Sequence, residues 1–553
     1  MSKISRTKRP LSIILSLLLI LSSVPLTLTA SAATTYTSED GYLTYQVSNE
    51  EATITKCSTS ISGAYTIPST LGGYPVTAIN SASKYSSGVF YGCTGLSSIT
   101  IPDSVTSIGN FAFFGCEALA SVSIGSSVTL IGQQAFRDCP SLTNVNIPDG
   151  VTLIGDYAFY GCTSLTSITI PDSVTSIGAS AFRVCSSLEI ITIPDSVTSI
   201  GSYTFYGCTS LTSVTIPDSA TSIGAYAFYH CESLTSITIG NGVTSIGKYA
   251  FYNCTSLTGI AIPDSVTSIG DCAFYYCTSL TSVTIPDSGV EIGDYAFYYC
   301  TSLASIEIPE NVKSVGSLAF GYCFSLKSAV INGRIPEAAE PVFGLCIGLE
   351  YVTIGDNTAS IGYMPFQLCP SIKSFTVSEK NEYYTNDEYG VLYNKDKTEL
   401  IQFPSGSSVT SYTIPESVTS IDAGAFYCCS SLTDITIPAS VTEIDNSGLG
   451  CGLGYTFEYV YDENNVPVDI VVTINEGLTI YGYTGTAAET YANDNDITFI
   501  ALDGDIEPED TAESCSHFCH SESSFVQFFY KIIRFFWKIF GINQYCECGA
   551  AHY

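Results

Sequence analysis

Thirteen cysteines recur at a spacing of 23 residues, and this period constrains the fold more than any other feature of the sequence. They are Cys93, Cys116, Cys139, Cys162, Cys185, Cys208, Cys231, Cys254, Cys277, Cys300, Cys323, Cys346 and Cys369. A Phe stands three residues before each of them, and a Leu or Ile stands three residues after. Such a period is typical of a solenoid, whose units stack along one axis and share one core.

Each repeat follows the consensus IPDSVTSIGDYAFYGCTSLTSVT, which contains two short extended segments. The TSVTIP segment alternates apolar and small polar residues, as a half-buried strand does, so Val214 and Ile216 are predicted to point inward. The SVTSIG segment supplies a second inward pair, such as Val105 and Ile108, before a Gly that allows a turn. One unit cannot bury these residues alone, so the repeats must stack on one another.

The AFYGC segment that follows predicts a short helical or 3₁₀ turn with its Phe in the core. Asp156, Asp271 and Asp294 come directly after the preceding Gly, where the N-cap of a helix is expected.

The recurring IP…V…IG…AF…C…L signature resembles that of the BspA-type leucine-rich-repeat family of bacterial surface proteins, over residues 36–503. The resemblance implies an α/β fold, a right-handed leucine-rich-repeat solenoid of 23-residue units. Short parallel strands would form one face, and short helical or 3₁₀ turns the other. It also implies adhesion to host matrix proteins and to other cells, which is associated with this family.

The N-terminal 33 residues have the features of a secretory signal peptide. Four basic residues precede an apolar run at 11–21, and Ala30-Ser31-Ala32 supplies the small residues of a cleavage site. A retained membrane anchor is the alternative, but the apolar run is short for one. The predicted organisation is 1–33 signal peptide, 34–79 N-terminal cap, 80–372 leucine-rich-repeat array, 373–413 larger interrupting repeat, 414–453 resumed repeats, 454–503 C-terminal cap, 504–514 acidic linker and 515–553 tail.

The charge balance excludes nucleic acid as a partner. The formal net charge is −33, and it becomes −37 without the four basic residues of the signal peptide. A strongly acidic chain repels phosphate backbones. Only 13% of the residues are charged, so we expect a surface made largely of hydroxyl groups.

The repeat cysteines are expected to be buried free thiols. Their side chains point the same way from parallel neighbours, which meets the distance but not the direction that a disulfide requires. They then act as small apolar residues. Cys57, Cys272, Cys428 and Cys451 fall outside the register and are more open to pairing.

The sequence contains no pattern of catalytic residues, so the protein is not expected to be an enzyme. His230 stands alone at a position that Gly or Tyr occupies in other repeats, which indicates a surface variant. A file of aspartates follows the repeat prolines and could hold Ca²⁺ or close turns by accepting backbone N–H groups. It comprises Asp103, Asp149, Asp172, Asp195, Asp218, Asp264 and Asp287.

Two repeated surfaces are candidates for binding. The outward strand positions are Ser and Thr, as in Ser213 and Thr215, and form a flat hydroxyl face that could contact carbohydrate or even ice. The turn segments carry a double file of tyrosines, which suit rigid amphipathic contacts but could equally pack against neighbouring turns. These tyrosines are Tyr157, Tyr160, Tyr203, Tyr206, Tyr226, Tyr229, Tyr249, Tyr252, Tyr295 and Tyr298.

The C-terminal tail differs from the repeats in composition. Segment 524–541 has one basic helical face and an aromatic body, so it could lie on a membrane or envelope surface, or pack on the solenoid. Its contact residues would be Lys531, Arg534, Trp537 and Lys538. Flanking clusters could bind Zn²⁺ or form two disulfides. The ligand set is Cys515, Cys519, Cys546 and Cys548, with His517, His520 and His552 as alternates. The tail resembles an element of secreted proteins of Gram-positive anaerobes.

The sequence thus predicts a secreted protein retained at the cell surface. It would be an adhesin or interaction scaffold that binds host matrix, mucin or other cells through its solenoid. The alternative is a structural or glycan-binding envelope component that does not adhere to host proteins. Its partners would be extracellular proteins or glycans, and the solenoid would need no cofactor.

Overall fold

The computed structural model describes residues 34–80, 88–336, 341–445 and 477–503, together with the backbone of the strands Tyr455–Tyr461 and Pro467–Ile474. The proposed signal peptide, the acidic linker and the tail, with its metal and membrane residues, lie outside the described residues. Within the described ranges the only helix is Ala487–Asp494. No helix in this part of the chain has the length and apolarity needed to cross a membrane.

The TSVTIP segments form short parallel strands that stack into a front sheet. Partner residues are 23 positions apart, as Ser213 is from Ser236 and Ile216 from Ile239. The strands of the front sheet are Leu96–Thr100, Ser121–Ser123, Asn144–Asn146, Ser167–Thr169, Ile190–Thr192, Ser213–Ile216, Ser236–Ile239, Gly259–Ala261, Ser282–Thr284, Ser305–Ile308, Ser328–Ile331, Tyr351–Ile354 and Ser374–Val377. The parallel-strand solenoid predicted from the period is therefore confirmed.

The SVTSIG segments form a second file of two-residue strands, also in parallel register. They are Ser107–Ile108, Leu130–Ile131, Leu153–Ile154, Ser176–Ile177, Ser222–Ile223, Ser245–Ile246, Ser268–Ile269, Glu291–Ile292 and Ser314–Val315. In the turn without such a strand, Ile200 still makes a parallel bridge to Ile223.

The core is one continuous cluster that runs the length of the array. Its most regular part is the phenylalanine ladder, in which consecutive rings stack with centroids 4.8 to 5.7 Å apart. Its members are Phe90, Phe113, Phe136, Phe159, Phe182, Phe205, Phe228, Phe251, Phe274, Phe297, Phe320, Phe343 and Phe366. Each is at most 1% exposed, so the ladder belongs wholly to the interior.

The AFYGC segments form hydrogen-bonded turns, not the helical or 3₁₀ turns expected from the sequence. Around Phe159, the residues Tyr157 and Gly161 have φ of +56° and +72°. Left-handed residues at this spacing prevent a right-handed helix. Tyr157 and Phe159 donate their N–H groups to Ala179 and Ala181 of the next turn, at 3.0 and 2.8 Å. Part of the backbone hydrogen bonding of each turn is therefore made with the next turn of the stack.

Both ends of the array depart from the repeat. The N-terminal segment contains antiparallel strands and joins the second file through Tyr74–Ile79. Its other strands are Thr35–Thr37, Leu43–Ser48, Glu51–Cys57, Gly63–Thr66 and Thr70–Leu71. Gly63–Thr66 pairs in parallel with Leu96–Thr100, so the first repeat has a partner strand that is not another repeat.

After residue 377 an antiparallel meander interrupts the stack, and a second core cluster begins. The meander strands are Tyr384–Asn386, Leu392–Asn394 and Glu399–Gln402. Parallel stacking then resumes through Ser411–Thr413, Ser420–Ile421, Asp434–Thr436, Glu443–Ile444, Thr479–Gly482 and Thr498–Ala501. The hairpin of Tyr455–Tyr461 with Pro467–Ile474 lies between the last repeats in sequence.

Candidate functional site

The repeat cysteines are free and buried, as predicted. The thiol of Cys208 donates a hydrogen bond to the carbonyl of Phe182 at 3.2 Å, and most of the file repeats this contact. Burial raises the pKa of Cys208 to about 12. A thiol held protonated in this way is inert as a nucleophile or metal ligand at neutral pH. Cys57 and Cys272 are likewise free and buried, Cys428 is also buried, and Cys451 lies outside the described residues.

Three of the seven aspartates that follow the repeat prolines, Asp103, Asp218 and Asp287, accept hydrogen bonds from the next turn. Asp103 accepts the N–H and Oγ–H groups of Ser126, 23 residues later, at 2.7 and 3.0 Å. These hydrogen bonds lower the pKa of the Asp103 carboxyl. Asp156, expected to cap a helix, accepts the N–H of Ala179 in the next turn at 2.8 Å. In the described ranges no three His, Cys, Asp or Glu side chains gather as a metal site would require.

The hydroxyl face of the front sheet is exposed, as its alternating pattern predicts. Ser213 and Thr215 point outward while Val214 between them is buried. Thr212, directly before the strand, donates its hydroxyl to the carbonyl of Glu189 at 3.2 Å, and Thr235 does the same to Thr212 at 3.1 Å. Threonines beside this face therefore contribute to stacking of the turns. Ile190 is 60% exposed where most other repeats have Ser.

The turn side carries an aromatic ladder, defined by the residues two positions before the repeat cysteines from Cys93 to Cys300. Its central rings stack face to face: the centroid distance is 4.7 Å from Tyr206 to Tyr229, and 4.6 Å from Tyr229 to Tyr252. The next steps, to Tyr275 and Tyr298, measure 5.1 and 4.9 Å. In chain order the ladder comprises Tyr91, Phe114, Arg137, Tyr160, Arg183, Tyr206, Tyr229, Tyr252, Tyr275 and Tyr298.

Two arginines fill the positions where the ladder lacks a ring. The guanidinium carbon of Arg137 lies 5.3 Å from the ring centroid of Phe114 and 4.7 Å from that of Tyr160. Arg183 lies 5.7 Å from Tyr160 and 4.4 Å from Tyr206. Cations over aromatic faces are attracted to the ring quadrupole, so the arginines continue the stack. The predicted binding residues were all tyrosines and did not include these two arginines. The 23-residue register nevertheless identifies both positions.

A second file, the outer tyrosines, lies beside the aromatic ladder and comprises Tyr157, Tyr203, Tyr226, Tyr249 and Tyr295. Tyr203, Tyr226 and Tyr249 stack on one another with centroids 4.7 and 4.8 Å apart. Tyr157 and Tyr295 instead contact Tyr160 and Tyr298 of their own turns, at 6.1 and 5.5 Å. The predicted double file therefore exists, and its continuous central section is formed by Tyr203, Tyr226 and Tyr249.

The tyrosines of both files are half-buried, apart from Tyr91, which is 45% exposed, and Tyr252, which is 6% exposed. Burial raises the pKa of Tyr229 to about 12, and it also raises the pKa of Tyr226. These two phenols are therefore neutral hydroxyls at physiological pH. Because ring faces cover one another, the two files offer ring edges and hydroxyl groups to a partner, with only their outermost faces open.

His230 belongs to a small polar cluster on this side. Its Nδ1 lies 3.1 Å from Oε1 of Glu232 and 2.8 Å from Nδ2 of Asn253 in the next turn. The imidazole also contacts the ring of Tyr229 at a centroid distance of 4.5 Å. His230 therefore packs into the turn side, in agreement with its interpretation as a surface variant.

The family comparison agrees with this repeat geometry. The family described as BspA type leucine rich repeat region matches residues 83–208, 175–289, 267–389 and 396–451, in 6 copies. No curated protein matches the chain.

Solved structures of bacterial leucine-rich-repeat proteins are similar to this one. A leucine-rich repeat protein from Bacteroides ovatus is 25% identical, with a TM-score of 0.51, over 83% of this chain and 98% of that one. A leucine rich cell surface protein from Faecalibacterium prausnitzii is 28% identical, with a TM-score of 0.34, over 80% and 99% of the two chains. The first of these supports the solenoid fold along most of the chain.

Proposed function

This chain belongs to the BspA-type leucine-rich-repeat family, and from that premise we propose that it is a secreted, cell-surface scaffold for adhesion. Its partners would be host matrix proteins, mucins or the surfaces of other cells. Leucine-rich-repeat folds present extended surfaces suited to protein–protein contacts. Export would depend on the signal peptide at 1–33, and retention on the tail at 515–553.

The observation that supports this proposal most strongly is the strip formed by the aromatic ladder and the outer tyrosines. Tyr and Arg are the residues most enriched where binding energy is concentrated in protein interfaces. Stacking already fixes the side chains of Tyr203, Tyr226 and Tyr229, so little rotamer entropy is lost when a partner binds. The strip is therefore an ordered contact surface before any partner arrives.

The geometry of the strip favours a protein partner over a glycan. Sugar rings dock their C–H groups on the negative face of an aromatic ring. Here the faces of Tyr226 and Tyr229 are covered by their neighbours at 4.6 to 4.8 Å. Ring edges and phenol hydroxyls suit the mixed aromatic, proline and amide surface of a polypeptide.

Binding of the full chain to immobilised matrix proteins, mucins, glycans and partner cells tests the proposal. The informative variant carries Tyr203→Ser, Tyr226→Ser and Tyr249→Ser, because these outer tyrosines are partly exposed and lie outside the core. A matched control carries Thr192→Ser, Thr215→Ser and Thr238→Ser on the hydroxyl face. We expect at least one protein ligand whose affinity falls about tenfold or more with the tyrosine variant only. A protein that binds nothing, or binds only through the hydroxyl face, contradicts the proposal.

A further inference from the structure

The two arginines of the aromatic ladder occupy equivalent positions but differ in their partners. Arg137 donates from Nε to Oδ2 of Asp138 at 3.2 Å, and from Nη1 to Oε1 of Gln134 at 3.0 Å. Its charge is therefore neutralised within its own turn. Arg183 stands 46 residues later in the same register, where the two partner positions hold Ser180 and Val184.

Among the described residues, Arg183 has no carboxylate within ion-pair distance and no hydrogen-bond partner for its Nε, which is buried. The side chain as a whole is half-buried, so its exposed part includes the terminal nitrogens. An arginine carries five N–H donors and remains charged at any physiological pH. The unpaired, buried Nε–H costs free energy, and the exposed terminal N–H groups can exchange water for the acceptor oxygens of a ligand.

The surroundings of Arg183 strengthen its attraction for an anion. Its guanidinium carbon lies 4.4 Å from the ring centroid of Tyr206 and 5.2 Å from that of Tyr203. The rings displace water on two sides and hold the guanidinium plane in place, and a charge-assisted hydrogen bond is stronger where less water competes. In a chain with a net charge of −33, this cation is the one member of the ladder that can attract a negative group.

We infer that Arg183 is the charged anchor of the aromatic strip and binds a carboxylate of a polypeptide partner. This inference rests on the proposed function and names the chemistry that the strip recognises. The partner segment would present one Asp or Glu side chain, flanked by aromatic or proline residues that lie on Tyr160, Tyr203 and Tyr206. A polyanion does not fit, because the acidic solenoid around a single cation repels it.

The repeat that contains Arg137 shows how the charge of Arg183 can be neutralised with little disturbance of the backbone. Val184 has φ of +61°, and Asp138 adopts φ of +55° at the equivalent position, so Val184→Asp is compatible with the backbone. The new carboxylate would pair with Arg183 as Asp138 does with Arg137. Arg183→Gln removes the charge directly. The matched control is Lys313→Gln with Glu291→Gln, which removes an exposed ion pair outside the aromatic strip without changing the net charge.

Selection of a random displayed 12-residue peptide library on the full-length protein and these variants tests the inference. Peptides retained by the wild type, but not by the variant with Tyr203→Ser, Tyr226→Ser and Tyr249→Ser, should be enriched in a single Asp or Glu beside aromatic or proline residues. Arg183→Gln and Val184→Asp should each weaken these peptides roughly tenfold and abolish the enrichment in carboxylates, while the control retains both.

Two results would overturn the inference in different ways. The selected peptides could depend on the tyrosines and yet show no enrichment in Asp or Glu, or the enrichment could persist with Arg183→Gln. Either result would show that Arg183 only fills the stack. The proposed function would stand in that case. Failure to recover any peptide that depends on the outer tyrosines would remove both the inference and the proposed surface.

Discussion

The phenylalanine ladder and the aromatic ladder are two stacks with the same 23-residue period in the same repeats. Phe205 and Tyr206 are consecutive in the chain, yet Phe205 is fully buried and Tyr206 is half-buried. The phenylalanine ladder has the same side chain at all thirteen positions, whereas the aromatic ladder accepts Phe114, Arg137 and Arg183 among its tyrosines.

This difference indicates that the phenylalanine ladder stabilises the fold, whereas the aromatic ladder is available to contact a partner. In a close-packed interior each ring fills a space that its neighbours fix, so another side chain leaves a cavity or a clash. At a half-exposed edge, water can occupy the space that a side chain of another size leaves. Any flat group can therefore continue the stack. Variation in the second ladder therefore marks a surface whose chemistry can be adapted to a partner.

The largest expected effect comes from alkaline pH, through the thiols that line the interior. Burial raises the pKa of Cys162, Cys208 and Cys277 from 9.0 to about 12. A thiol whose pKa is raised by folding contributes full stability below pH 9, and this contribution is lost as the pH rises towards 12. The free energy of unfolding, measured by urea titration, should fall by about 1.4 kcal/mol per pH unit for each such thiol above pH 9.

Deprotonation of lysines and tyrosines also weakens the protein in this range, so a cysteine variant is needed as control. The triple variant with Cys162→Ala, Cys208→Ala and Cys277→Ala should show a shallower decline between pH 9 and 11. Equal slopes for the two proteins would contradict the assignment of this pH dependence to the buried thiols.

Truncation of one ring of the phenylalanine ladder is expected to have the next largest effect. Phe205 stacks between Phe182 and Phe228 at 5.7 and 5.2 Å and is fully buried. Phe205→Ala removes both contacts and leaves a cavity, so the free energy of unfolding should fall by about 3–5 kcal/mol. Urea denaturation followed by circular dichroism measures this change. A loss below about 1 kcal/mol would contradict the claim that the phenylalanine ladder contributes more to stability than the aromatic ladder does.

The neighbouring substitution in the aromatic ladder should cost less. Tyr206 stacks on Tyr229 at 4.7 Å and lies beneath the guanidinium of Arg183 at 4.4 Å. Tyr206→Ala removes these contacts at a site that water can enter, so we expect a loss of about 1–2 kcal/mol. The same denaturation experiment compares it directly with Phe205→Ala, and equal losses would mean that both ladders are structural.

The smallest effect is expected beside the hydroxyl face. Thr235 donates its hydroxyl to the carbonyl of Thr212 at 3.1 Å, in an exposed position. Thr235→Val keeps a β-branched side chain and removes this hydrogen bond, so the free energy of unfolding should change by no more than about 1 kcal/mol. Thermal unfolding and the binding assays should both remain close to those of the wild type; loss of ligand binding would place recognition on this face.

Much of the architecture could be predicted from the sequence because it depends on periodicity. The inward positions of Val214 and Ile216, the parallel register and the buried cysteines all follow from the 23-residue period and from alternation of apolar residues. These features follow from the need to bury apolar side chains, which a repeated pattern displays directly.

The turn side could not be derived in the same way. Tyr157 and Tyr203 have positive φ, which side-chain type does not indicate, because left-handed residues are usually Gly or Asn. The expected N-cap residue Asp156 bonds to the next turn, since there is no helix for it to cap. Inter-turn bonds of this kind become visible only when the offset between successive turns is known.

The hydrogen-bonding partners of the two arginines in the aromatic ladder could not be predicted from the repeat pattern either. Arg137 and Arg183 look alike in the alignment of repeats, and only the contacts with Asp138 and Gln134 separate them. Each side chain lies between a ring of the previous turn and a ring of the next turn, and these two rings are 46 residues apart in the chain. Recognising such a bridge requires the geometry of three consecutive turns.

The most direct test of the account is hydroxyl-radical footprinting of the protein, alone and with a protein ligand identified in the binding screen. If the aromatic strip is the contact surface, oxidation of Tyr203, Tyr206 and Tyr226 falls several-fold on binding, while oxidation of Ile190 on the hydroxyl face does not change. Protection of Ile190 with unchanged tyrosines would contradict the claim that the aromatic strip is the contact surface.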